Sequence, residues 1–169
     1  MFVRHLSAAL VGCALLLAPF AAKAERGPST PAERKQALES IHHFEADPLN
    51  ANLKSEVRWV VEWAIEIPDV HFNICEIATL PKSDKQGRST LFSAMILAQI
   101  AFVLQNPDRQ EDLVAQYQAG VEGVLHSYEI LLKANPKDRQ TLLDDLIEKR
   151  ESGTLELWVK ERAAATCHQ

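Results

Sequence analysis

Thr90-Leu-Phe-Ser-Ala-Met-Ile-Leu-Ala-Gln-Ile-Ala-Phe-Val-Leu104 contains no charged residue, and on a helical projection its apolar side chains face every direction. A helix that is apolar all round has to be covered on most of its surface. The run is shorter than the roughly twenty apolar residues a bilayer span needs. It therefore reads as the central helix of a helical domain, and the flanking sequence should supply what covers it.

Upstream, Thr30-Pro31-Ala32-Glu33 has the form of a capping box with proline at the first helical position. Leu38, Ile41 and Phe44 continue an apolar stripe that Asp47-Pro48 ends. A second helix is expected from about Asn52 to Ile67, with Leu53, Val57, Val60, Val61 and Ala64 at helical spacing and Pro68-Asp69 as the stop. Val70 to Leu80 fits either period. Val70, Phe72 and Ile74 alternate like a strand, whereas Val70, Ile74 and Ile77 suit a helix. No other segment could pair with a strand there, and a lone strand leaves its backbone unsatisfied, so a short helix is favoured, with an extended start as the alternative for its first residues. Pro81 to Ser89 reads as a polar, basic loop.

Downstream, Asn106-Pro107-Asp108 should cap a long helix from Arg109 to Lys133, striped by Tyr117, Val121, Val124, Tyr128 and Leu131. Gly120, Gly123 and Ser127 lie beside that stripe and would admit a close neighbour. Asn135-Pro136 opens a further helix through Leu142, Leu143, Leu146 and Ile147; Gly153 ends it, and Thr154 should cap a last one carrying Leu155, Trp158 and Val159. The expected fold class is all-α: six to seven helices as an antiparallel bundle or stacked helix hairpins. Tetratricopeptide-like packing is compatible with such hairpins, but the breaks at Pro48, Pro107 and Pro136 are 59 and 29 residues apart. Those are not multiples of the roughly 34-residue repeat, and the repeat motif is absent.

Met1 to Ala24 has the three parts of a cleavable export signal. Arg4 and His5 form a positive start, an apolar run extends from Leu6 to Ala22, and Ala22-Lys23-Ala24 supplies small residues before a cut. Leu10-Val11-Gly12-Cys13 resembles the pattern before a lipidated cysteine, but the apolar run continues past Cys13, which favours simple cleavage after Ala24. Residues 25–169 then form a single helical domain, periplasmic or secreted, with no membrane span. Losing Arg4 and Lys23 leaves 16 of the 18 basic residues against 23 acidic ones, a net charge of −7. That balance argues against a nucleic-acid partner.

Of the three cysteines, Cys75 and Cys167 lie beyond the cut, and in an oxidising compartment an even pair is most simply a disulfide. His71-x3-Cys75 is the nearest approach to a metal motif, because residues four apart share a helix face. His42, His43, His126 and His168 show no spacing that would complete it, and a disulfide would consume its thiol. No metal and no cofactor is therefore expected. Glu56 projects among apolar positions near Trp63, where a carboxyl pKa could rise, though first-turn placement favours a solvated role. There is no phosphate loop, dinucleotide fingerprint or calcium loop. The expected binding surface combines the Trp59 and Trp63 edge with the basic loop residues Lys82, Lys85 and Arg88. The resulting expectation is an exported, non-catalytic protein that binds an envelope protein or a peptide. The alternative is a small periplasmic metal protein or enzyme centred on His71 and Cys75.

Overall fold

A computed structural model describes residues 26–78, 80–82 and 87–167. The export signal, Lys85 and His168 lie outside the described residues. The fold is all-helical: α1 (Pro31–Ala46), α2 (Lys54–Glu66), α3 (Arg88–Gln105), α4 (Leu113–Ala134), α5 (Thr141–Glu151) and α6 (Leu155–Thr166). The sequence runs through three hairpins in order. α1 with α2 covers α3, α3 packs against α4, and α5 with α6 covers α4.

The capping box at α1 forms as expected. The Thr30 hydroxyl accepts from Glu33 N at 3.2 Å, and the Glu33 carboxylate accepts from Thr30 N at 2.8 Å. These bonds, led by the one from the Thr30 backbone, with Arg26 close by, hold the Glu33 carboxyl at about 2. Asp69, just past α2, ties the start of α1 to the end of α2. It accepts from the Ser29 N–H at 2.7 Å, the Ser29 hydroxyl at 2.8 Å and Arg34 at 2.9 Å. Partial burial pushes that carboxyl up, but the donors outweigh it and its pKa stands at about 2.

The central pair is antiparallel. The neighbours of Gly120 on α3 are Met95 and Gln99, while those of Gly123 are Ala94 and Ala98. A Cβ on Gly123 would stand 2.6 Å from Ala98 Cβ and 2.7 Å from Ala94 O, so the helices meet there at glycine distance. α3 buries Leu91, Met95, Leu97, Ile100 and Val103 among others. It is long and apolar enough to meet the length criterion for a membrane span. Its neighbours nonetheless cover it as a core helix.

Three expectations are corrected. Val70–Leu80 forms no helix across its described residues; it is an irregular connection. Side chains, instead of a neighbouring strand, bond several of its backbone groups. The buried Gln116 amide accepts from Asn73 N at 2.9 Å and donates to His71 O at 3.1 Å, and it also donates to Gln110 O. Tyr117 donates to the Asn73 side chain at 3.0 Å, and Arg162 Nε reaches Ile77 O at 3.3 Å. Second, the long helix does not begin at Arg109. Pro107–Arg109 is a single 3-10 turn, and Asp112 is the true cap of α4, accepting from Ala115 N at 3.1 Å. Third, Pro136–Asp138 is likewise a 3-10 turn, and α5 starts only at Thr141.

Cys75 and Cys167 are joined, their Cα atoms 6.0 Å apart across 92 residues of sequence. The bond fastens the connection after α2 to the end of α6.

Candidate functional site

Of the expected tryptophan and basic-loop surface, Trp63 is buried and Arg88 is engaged within the fold. Trp59 and Trp63 stack with ring centroids 5.9 Å apart, but Trp63 is only 1% exposed and belongs to the core; Trp59 is half-buried. Arg88 is occupied, donating to Pro81 O and to the Glu76 carboxylate, both at 3.0 Å. It pins the connection between α2 and α3. Lys82 is exposed.

The His71 and Cys75 pair has no helix face to share. Cys75 is in the disulfide, and both ring nitrogens of His71 face acceptors, Nδ1 toward Glu111 at 3.2 Å and Nε2 toward Pro68 O at 3.0 Å. Those two bonds, the one to Glu111 first, raise the pKa of His71 above 6.5. His126 donates to Glu45 O at 2.9 Å and His42 to the Glu45 carboxylate at 3.0 Å. Among the described residues, no three His, Cys, Asp or Glu side chains gather where they could hold a metal ion. Glu56 takes the solvated role, accepting from His43 Nδ1 at 2.9 Å and linking α1 to α2.

Residues not singled out by sequence reasoning line a more coherent site. Where the α1–α2 loop meets the first turns of α3, a groove of about 600 Å³ opens to solvent. Phe44, Pro48, Leu49, Leu53 and Val57 form its apolar part. Phe44 and Pro48 are buried, whereas Leu49 is 45% exposed at the rim. One wall carries Lys54 and Arg58 from α2, and the other carries the hydroxyl residues Ser89, Thr90 and Ser93 of α3. The local fold explains the arrangement. Asn50 caps the 3-10 turn Ala51–Leu53 by accepting from Asn52 N at 3.0 Å, which launches α2 directly from the loop and sets Lys54 and Arg58 one turn apart.

Arg58 differs electrostatically from the other described arginines. Arg26, Arg34, Arg88, Arg109, Arg139 and Arg150 each meet a carboxylate, and Arg162 meets a carbonyl. Among the described residues Arg58 is the only arginine with neither, and Lys54 also lacks a partner. The spacing Lys54-x3-Arg58 was the available sequence signal, but nothing in it shows that the loop and α3 close a groove beside it.

A second depression, of about 610 Å³, lies between the end of α2 and the connection that follows it. It carries two exposed isoleucines, Ile65 (66%) and Ile74 (49%). No family model, curated protein or solved structure matches this chain.

Proposed function

We propose that this chain is an exported, non-catalytic helical protein that binds a protein or peptide partner, with the groove between the α1–α2 loop and α3 as its contact surface. The observation that carries the reading is an open groove with an apolar floor, the exposed Leu49 at its rim and polar or charged residues along its walls. A groove with an apolar floor and a polar rim is the form a recessed peptide site takes. The shifted acids support the same reading from the other side. Glu33, Asp69 and Asp112 owe their low pKa values to helix caps and ion pairs, which is structural work at helix ends.

The export part of the proposal rests on Met1–Ala24. Protein recovered from the export compartment should have Glu25 as its N-terminal residue. Recovery of the intact chain from the cytoplasm alone would refute that part.

The binding part is tested by placing a photo-crosslinking residue at Leu49 and, as a control, at the exposed Leu157 on α6, 59% accessible. A discrete adduct from position 49 but not from 157 is expected in cells. Equal, diffuse labelling at both positions, or none at either, would count against partner binding through this groove.

A further inference from the structure

The proposed binding role leaves open what the groove recognises, and the charge on its walls narrows the answer. Lys54 and Arg58 are four residues apart on α2, so their like charges face one another across a single turn, an arrangement that weakens a helix. Lys54 is also the first residue of α2, where the helix macrodipole disfavours a cation. Neither charge has a partner among the described residues, although the chain carries 23 acidic residues against 18 basic ones. No described ion pair or hydrogen bond offsets this placement. Sites where local rules are broken without a structural return are where a ligand's contribution is expected.

The surroundings favour a ligand that is part apolar and part anionic. Leu49 offers an apolar contact at the rim, and Ser89, Thr90 and Ser93 line the opposite wall. Serine and threonine hydroxyls both donate and accept, which suits the amide groups of a peptide backbone. Nucleic acid is a poor match for a chain with this net charge.

Resting on the proposal that the groove binds a partner, we infer that its occupant is a segment of another protein in which one or more carboxylate side chains flank an apolar residue. The apolar residue meets Leu49 and the groove floor, while the carboxylates answer Lys54 and Arg58. Charge-assisted bonds of this kind set specificity and respond to salt.

The test is selection of displayed random peptides with blocked termini against the folded chain, repeated with Lys54→Glu/Arg58→Glu and with Leu49→Glu. Both sets of substitutions fall on exposed side chains, and circular dichroism would check that each variant folds. The expected outcome is a wild-type pool enriched in Asp and Glu next to Leu, Ile or Phe. Its members should lose about tenfold or more in affinity for the charge-reversed variant, and weaken as salt rises. Peptides that require Leu49 but show no acidic preference, or bind the charge-reversed chain equally well, would overturn this inference and leave the binding role standing. No binding peptide at all would overturn both. Self-association that Leu49→Glu abolishes would give the groove to a second copy and also overturn the inference. So would binding confined to free C-terminal carboxylates or to a fatty acid.

Discussion

Asp69 and Gly123 show how single positions hold this bundle together. Asp69 accepts three hydrogen bonds at the point where α2 ends beside the start of α1. Its pKa in the folded chain is about 2, against an ordinary 3.8. A depressed folded pKa means the contribution is complete above the ordinary value and fades as pH falls toward the folded one. Asp69→Asn should therefore cost about 1–2 kcal/mol at neutral pH, allowing for a side chain one-third exposed. The gap between wild type and variant should close between about pH 4 and pH 2, as read from urea unfolding at a series of pH values. A gap that stays constant through that window would show that the charge on Asp69 is not what holds the two ends together. Gly123 works through its lack of a side chain. Alanine is the better helix former by about 1 kcal/mol, but here its Cβ would press on the Ala94 carbonyl and on Ala98. Overpacking of that kind costs typically about 1–3 kcal/mol. Gly123→Ala should thus destabilise the chain, and by more than Gly120→Ala, whose closest obstacle is the movable end of the Gln99 side chain. Thermal melts that reverse this order would mean the helices part easily at Gly123.

At the scale of elements, the irregular connection Val70–Leu80 is where sequence and structure diverge. A lone extended segment was expected to be unsustainable because no strand could pair with it. The flaw lay in counting only backbone partners: Gln116, Tyr117 and Arg162, distant in sequence, supply hydrogen bonds from their side chains. Nothing local to Val70–Leu80 encodes that help. The elements with local signals were legible: the capping box at Thr30, the apolar run of α3, and the small residues of α4 that receive it. Asp112 rather than Asn106 caps α4 because three residues beyond Pro107 close a 3-10 turn, leaving Asp112 placed to accept from Ala115 N. The tryptophan pair was legible as one edge of the α2 stripe, and its wide apolar arc suits core rings, but that Trp63 is the buried one depends on what packs over α2. For the same reason Lys54 and Arg58 drew no notice, because a groove belongs to the loop and to α3 as much as to α2. The disulfide is the one long-range feature that composition made visible. It anchors a connection with few local restraints, so Cys167→Ser should cost roughly 4–5 kcal/mol on the chain-entropy account for a loop of 92 residues. Urea unfolding of the variant beside the oxidised parent measures it. A loss below about 1 kcal/mol would mean that the reduced chain already holds Val70–Leu80 against α6.

Across the whole molecule, stability should be graded from the middle hairpin outward. α3 and α4 are covered from both sides, by α1 and α2 against α3 and by α5 and α6 against α4. The outer elements have less to lose: α5 buries only Leu143 and Leu146, and α6 only Leu155, Val159 and Ala163. Local opening follows buried apolar contact, so segments with little of it exchange their amide hydrogens without global unfolding. The disulfide counteracts this grading by fastening the end of α6 to the connection that follows α2, which links the last hairpin to the first across the central one. In the oxidised chain α6 should therefore be protected nearly as well as α4, despite its shallow burial. Breaking the bond removes that tether while leaving the α3–α4 contact at Gly120 and Gly123 intact. Hydrogen exchange on oxidised and reduced protein separates these contributions. Protection in α5 and α6 should fall on reduction well before protection in α3 and α4 does. A uniform fall in all six helices would instead mean that the three hairpins form one cooperative unit, with the central pair unable to stand without its outer cover.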